Sequence, residues 1–432
     1  MNEIRTTRRD FLKTSTAATA LGAAIPHVFG TPQARGEEKN DRLNVASIGV
    51  GGRGSGIGHQ AGRLGNMLAC CDVDGQRADA FAAKYDGKCQ TYGDYRRILD
   101  RKDIDAVTIG TPDHWHTKIS IDAMKSGKDV YCEKPLTLTI EEGQQIGQVV
   151  KETGCVFQVG TQQRSEYGER FLKAVAIARS GRLGKTLRAI SSVGQASSGG
   201  PFEETDPPAH LNWEMWLGQA PLVGYIKQRT HHDFRWWLEY SGGQVTDWGV
   251  HHTDIAMWAL GAEHSGPTSI EGTGEFNNQD NCYNVAKSFD CTLDFAGGHQ
   301  ILITSGSNEL IIEGEKGRIR VNRGGLTGKA VEEIQASEEE TEWLAGEVKS
   351  LYRGKPIHGH MRNFFDCIKD RSLPISDVFT HHRSVSACHL ANIAMLLGRK
   401  MTWDPEKEDF VGDAEGTAML KREQRAPYQI EV

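Results

Sequence analysis

The stretch LNVASIGVGGRG, residues 43–54, decides the fold. Its first half is a β-rich apolar run, residues 43–50, and its second half reads Gly49-Val50-Gly51-Gly52-Arg53-Gly54. This is G-x-G-x-x-G between a strand and a helical stretch. Gly49 permits a tight turn, Gly51 lets a pyrophosphate approach the backbone, and Gly54 lets the helix pack closely on the strand. The helix N-terminus then offers free N–H groups and partial positive charge to a phosphate.

The surroundings strengthen the reading. A second β-rich run, NMLACCDV (66–73), carries Asp72 near its end, about 20 residues on, where an acid holds a ribose 2′-hydroxyl. An acid there favours NAD, with NADP as the alternative because Arg53 is available to a 2′-phosphate. Further runs at 106–110, 129–132 and 156–160 alternate with helical spacing over 76–84, 114–126 and 140–153. Such alternation predicts a doubly wound parallel sheet over 41–165, an α/β dinucleotide-binding domain. Two loops follow strands at their carboxyl ends, where open α/β sheets bind ligands: Thr111-Pro-Asp-His-Trp-His116 and Glu133-Lys134-Pro135. Pro135 disfavours helical backbone at Lys134, so Lys134 ends its strand and faces the cleft.

Length and composition bound the rest. The chain has 432 residues, 38% hydrophobic and 25% charged, enough for two or three domains. Residues 1–34 are expected to be a signal rather than fold. Arg8-Arg9 precedes Phe11-Leu12-Lys13 and a weakly apolar run, STAATALGAAI, the order of a twin-arginine export signal. The expected location is periplasmic or otherwise extracytoplasmic. No apolar run is long enough for a stable membrane anchor. Net charge is −7, and nothing basic marks nucleic acid as a partner. The nine cysteines form no CxxC pair and read mostly as small buried hydrophobes. His pairs recur at 231–232, 251–252 and 381–382, but without HExxH or a compact carboxylate cluster no metal is expected.

At TPDHWH (111–116) and CEKPLT (132–137) the sequence resembles the family of glucose–fructose oxidoreductase, inositol 2-dehydrogenase and their relatives, Gfo/Idh/MocA. The resemblance implies an N-terminal Rossmann domain and a C-terminal α/β domain with a mostly antiparallel open sheet, here 166–432. It carries Gly49, Gly51 and Gly54 onto the family's phosphate loop and Asp72 onto its ribose acid. Thr111, Pro112 and His116 match its loop near the nicotinamide, and Glu133 and Lys134 its EKP pair, whose lysine is close to nicotinamide and substrate. Asp247 and His251 match its D-x-x-x-H motif. Twin-arginine export resembles the branch working outside the cytoplasm. Asp113 and His114 stand where relatives vary, and an aromatic-rich insertion around 194–235 leaves the substrate open.

In the second half, residues 241–261 read as one helix on which Asp247, His251, Asp254 and Trp258 share a face. Asp247, one turn before His251, is expected to hold one imidazole nitrogen and leave the other to take a proton from a substrate hydroxyl. Candidate substrate contacts are Arg164, after the sixth strand, and Trp237, Trp248 and His252. Aromatic faces with polar edges suit sugar rings. Short alternating runs over 270–330 suit an antiparallel sheet supporting a dimer or tetramer. The Glu-rich segment 330–350 reads as a solvated loop or lid, and 412–428 as a C-terminal arm wrapping the fold.

These readings converge on an exported NAD(P)-dependent oxidoreductase of a sugar, polyol or glycoside, with its cofactor tightly held and recycled. Lys134 polarises the reacting oxygen and His251 accepts the proton, or the two exchange roles. Two alternatives are an enzyme that cleaves glycosides by transient oxidation and elimination, and a non-catalytic sugar- or nucleotide-binding protein.

Overall fold

The computed structural model describes residues 42–432. The stretch read as an export signal lies outside the described residues. Strands β1 (Asn44–Ile48), β2 (Asn66–Cys71), β3 (Gln90–Tyr92), β4 (Ala106–Ile109), β5 (Asp129–Cys132) and β6 (Phe157–Val159) form a parallel sheet in the order β3-β2-β1-β4-β5-β6. Helices Gly52–Leu64, Gly75–Ala82, Asp113–Lys125 and Ile140–Thr153 connect them. Burial on both faces explains why β1, β4 and β5 are nearly continuous apolar runs. Strand order reverses between β1 and β4, so their carboxyl ends open a crevice. Strand β3 escaped the sequence reading because its three residues are a partly exposed edge without an apolar run.

The second sheet has nine strands: β7 (Leu187–Val193), β8 (Ser269–Gly274), β9 (Phe289–Asp294), β10 (Gln300–Ser305), β11 (Glu309–Gly314), β12 (Gly317–Val321), β13 (Leu326–Thr327), β14 (Met401–Asp404) and β15 (Asp409–Phe410). Their order is β13-β12-β11-β7-β10-β9-β8-β14-β15. The described pairings are antiparallel except β7 with β10. Helices Arg170–Arg179, Gly249–Leu260 and Val378–Leu397 cover one face. Alternating burial along β9 and β10 leaves the other face open.

Two expectations are corrected. The Glu-rich segment is not a loop: it forms helices Lys329–Gln335 and Glu338–Leu351. Ser337 caps the second by accepting the Glu340 N–H at 3.3 Å, and Glu338, Glu339 and Glu340 occupy its first turn, where the helix dipole favours acids. Leu344 and Val348, four residues apart, are its buried anchors. The helix expected over 241–261 is two segments, Gln244–Asp247 and Gly249–Leu260, joined at Trp248.

Chain segments from the second half also brace the first sheet. Helix His360–Asp370 inserts Met361, Phe364 and Phe365 beside Val45, Ile57 and Met67. The C-terminal arm does wrap the fold: Arg425 donates to Ala220 O and the Glu214 carboxylate, and the Tyr428 hydroxyl donates to Glu214. All nine cysteines are free, and all but Cys155 are buried.

Seven imidazoles are packed inside. Burial pushes His114 and His389 down to about 3, His116, His252 and His360 down to about 4, and His251 and His381 in the same direction. An unfolded histidine takes a proton near pH 6.5, so below that pH the unfolded chain binds more protons and stability falls with pH. Each imidazole contributes about 1.4 kcal/mol per pH unit. Burial pushes Asp113 and Glu142 up to about 7 and raises Asp72, which acts the opposite way, but these are three carboxyls against seven imidazoles. Urea midpoints should therefore fall steeply between about pH 7 and about pH 5. A flat midpoint across that range would show these histidines to be protonated in the fold.

Candidate active site

The crevice at the carboxyl ends of β1, β4 and β5 is a cleft of about 460 Å³. Gly49 turns the chain out of β1 with φ +74°, a conformation that disfavours any side chain. Gly54 lets the following helix approach, since a Cβ there would overlap the Gly49 carbonyl oxygen. The loop ends with Gly51 and Gly52 facing the cleft. Beside it, the Asp72 carboxylate accepts the Val50 N–H at 2.9 Å and the Asp74 N–H at 3.0 Å. Burial raises the pKa of Asp72, against the pull of those donors and of Arg77. A Gly-rich turn at a helix start with an acid at the next strand end fits a dinucleotide.

Arg53 is turned away from Asp72. Its Nε donates to Glu133 Oε1 at 2.9 Å, and the same oxygen accepts from Gln162 Nε2 at 2.9 Å. The cation beside Asp72 is instead Arg77, whose guanidinium lies against Gly51. No motif marked Arg77 in the sequence.

At the inner end, Lys134 leaves β5 and points into the cleft. Its Nζ donates to the Asp247 carboxylate and, at 3.0 Å, to the Asp247 carbonyl. The second carboxylate oxygen of Asp247 is 3.2 Å from Arg235 Nε. Burial alone would raise the pKa of Asp247, but the two cations hold it below the ordinary carboxylate value. This corrects the expected Asp247–His251 pair: the carboxylate is taken by Lys134 and Arg235, two cations that other chain segments bring within reach of it. His251 Nδ1 is buried without a hydrogen-bond partner. Burial, then the positive charges of Lys134 and Arg323, push this imidazole well below its ordinary pKa, so it is neutral at pH 7. Trp248 packs against His251 with ring centroids 5.7 Å apart, and Thr111 and Pro112 complete the wall.

Four other candidates take different places. Arg164 does not reach the cleft. It is 2% exposed, and its Nε and Nη2 donate to the two Asp254 oxygens at 2.7 Å each. Burial would raise Asp254, but the Arg164 charge holds it far below the usual range. Trp237 is core, with its indole N–H on Gln228 O at 2.9 Å and Arg229 stacked 3.8 Å above it. His252 follows His251 on the helix and so points elsewhere, with Nε2 2.7 Å from Asn308 Oδ1. His116 lies beneath the cleft, its ring nitrogens 2.7 Å from Pro135 O and 2.9 Å from Thr111 O, bracing both loops.

The sequence reading missed Arg235, Tyr167, Arg323 and the role of Asp113, all of which line the cleft. Ser241 Oγ donates to Asp113 Oδ2 at 2.5 Å, and burial pushes the Asp113 carboxyl up to about 7. Asp113 was visible within TPDHWH, but Tyr167 and Arg235 lie in single short 3-10 turns and Arg323 in a loop, all too short to carry a periodic signal.

Residues 43–161 match the oxidoreductase family's NAD-binding Rossmann fold, and residues 197–430 match its C-terminal alpha/beta domain. The chain belongs to the Gfo/Idh/MocA oxidoreductase family. Similar curated proteins are a glycosyl hydrolase family 109 protein of Shewanella pealeana and scyllo-inositol 2-dehydrogenase (NAD(+)) of Bacillus subtilis. The first is 34% identical over 191 residues, 41% of this chain and 40% of the relative. The second is 30% identical over 181 residues, 42% of each. The chain thus spans less than half the length of these relatives. Among solved structures, the WlbA dehydrogenase of Bordetella pertussis, in complex with NADH and UDP-GlcNAcA, is similar in fold. Its TM-score is 0.62 at 17% identity, covering 84% of this chain and 99% of that one. As a Gfo/Idh/MocA protein, the chain has NAD as its family's cofactor, and the Gly49–Gly54 turn with Asp72 is a cradle that fits it.

The Arg164–Asp254 pair ties the turn after β6 to the helix bearing His251. Breaking a buried pair from one side leaves an uncompensated charge, costing about 3–5 kcal/mol. Arg164→Met should lower the unfolding free energy by that amount in urea titrations, and adding Asp254→Leu should recover part of it. A single-variant loss near zero would mean the pair is solvated.

Proposed function

We propose that this chain is an exported NAD(P)-dependent oxidoreductase acting on a sugar, polyol or glycoside, with its dinucleotide tightly held and recycled. The observation that carries the reading is Lys134, anchored by an Asp247 that Arg235 also holds, in one cleft with the Gly49–Gly54 turn and with a neutral His251 whose Nδ1 has no partner. When bound, the dinucleotide supplies the two-electron acceptor for oxidising a carbinol carbon. Lys134 Nζ has three N–H donors; Asp247 orients two, and the third polarises the substrate oxygen. Neutral His251 accepts the hydroxyl proton. Asp247 is thus a positioning residue for Lys134.

Retention of the cofactor is supported by the insertion. Gly75 N donates to His210 O at 2.9 Å and Asn212 N to Val73 O at 2.9 Å, so residues 210–212 cross the chain just after Asp72. Residues 210–212 thus cover the chain beside the acid that would hold the ribose. Loading before export by the twin-arginine route reconciles a soluble cofactor with an extracytoplasmic location. The open face of the nine-stranded sheet, with Ile190, Leu302 and Ile311 only half-buried, supports a homo-dimer or tetramer.

A second reading is favoured by the glycosyl hydrolase family 109 relatives and by Asp113. Transient oxidation at one sugar carbon acidifies the neighbouring C–H. A base removes that proton as the glycosidic C–O bond breaks and the leaving oxygen is protonated. Water then adds across the double bond, and the carbonyl is reduced again. Asp113, pushed up to about 7, can exchange protons at neutral pH.

The first test is to purify the protein without added nucleotide, denature it and identify what is released. About one equivalent of NAD(H) or NADP(H) per chain is expected. Lys134→Met should keep that equivalent yet lose roughly 10²–10⁴ in turnover. Unchanged turnover would sink the assignment. Release of free sugar from a glycoside without added NAD would select the second reading.

A further inference from the structure

Every cation lining the inner cleft has a carboxylate except one. Arg53 is paired with Glu133, and Lys134 and Arg235 share Asp247. Arg323, just after β12, has no ion pair among the described residues, and its Nε is buried without a hydrogen-bond partner. Its guanidinium is held between two rings, 4.3 Å from the centre of Trp248 and 4.7 Å from that of Tyr167. Trp248 in turn packs on His251. Two groups without hydrogen-bond partners, Arg323 Nε and His251 Nδ1, therefore flank one aromatic ring at the reacting end of the cleft.

Charge points the same way. Five cations and five carboxyls line the whole cleft, but at its inner end Arg53 is matched by Glu133, Lys134 and Arg235 share Asp247, and Arg323 alone has no carboxylate paired with it. Asp113 is held by the Ser241 hydroxyl and pairs with none of these cations. Arg323 is half-buried with its Nε enclosed, and a guanidinium partly withdrawn from water without a partner gains from a bound anion. The planar fork of arginine fits a carboxylate by two parallel N–H donors, and clamping between rings fixes the plane of that fork.

We propose that Arg323 binds a carboxylate of the substrate, so that the cleft is built for acidic sugars, uronates or aldonates, rather than neutral ones. This rests on the oxidoreductase reading for the identity of the site. Arg323 determines specificity: it grips the substituent while Lys134 and His251 act on a hydroxyl.

The test uses the full-length protein carrying its dinucleotide. Binding of matched pairs is followed by tryptophan fluorescence: D-glucuronate against D-glucose, D-galacturonate against D-galactose, and D-gluconate against D-glucitol. In at least one pair the acid should bind about tenfold tighter than its neutral partner, one charge-assisted contact's worth. Arg323→Met should erase that preference while dinucleotide content and unfolding midpoint stay as in the parent. Arg323→Lys should keep part of it. Equal binding of acid and neutral sugar in all three pairs overturns the proposal, as does a preference that survives Arg323→Met. Loss of dinucleotide from Arg323→Met also overturns it, by making Arg323 a cofactor anchor. Failure of the oxidoreductase reading looks different: the parent protein would bind acids preferentially yet neither hold dinucleotide nor turn over.

Discussion

The buried ion pair between Arg164 and Asp254 is the constraint on which the site depends. Arg164 comes from the turn after β6, at the edge of the parallel sheet, and Asp254 from the helix that lies over the nine-stranded sheet. Arg164 also donates to Ile375 O, and Ser384 Oγ donates to Asp254. Four separate chain segments therefore converge on two charges with no access to water. Neither charge tolerates displacement from the other, so the helix bearing His251 is fixed against the sheet bearing Lys134. The placing of Lys134 against His251, which come from different layers, thus rests on a pair that lies outside the cleft.

Inside the cleft, electrostatics divides the labour. Asp247 lies between Lys134 and Arg235 and stays ionised despite its burial. Burial first, and then the charges of Lys134 and Arg323, keep the neighbouring imidazole neutral. One carboxylate and several cations thus maintain a charged donor and a neutral acceptor side by side. That is the combination needed to polarise an oxygen and remove its proton near neutral pH. Asp113, buried against Ser241, is a carboxyl that burial pushes up to about 7, unlike the ionised Asp247.

Much of the cofactor half was legible from residues alone. Its signals are local: a strand, a Gly-rich turn and a helix start are contiguous, and Asp72 ends the next strand. Lys134 was legible for the same reason, since Pro135 and the preceding apolar run fix its place. The second half was less so. Arg164, Trp237 and His252 look like ligand-binding side chains by type, yet each is satisfied inside by a partner 9 to 90 positions away. Tyr167, Arg235 and Arg323 carry no pattern, because short turns and loops have no period to read.

By itself the sequence determined the α/β Rossmann architecture, the phosphate turn, the acid at β2 and the lysine at β5. Each depends on the conformational limits of glycine and proline and on the alternation of apolar residues, which act over a few positions of chain. Only the tertiary structure decided that Asp247 serves Lys134 rather than His251, that Arg164 belongs to the core, and that Arg323 is left without a carboxylate. Those outcomes turn on which opposite charges meet when distant segments pack, and a buried charge settles on the partner that the fold brings within reach.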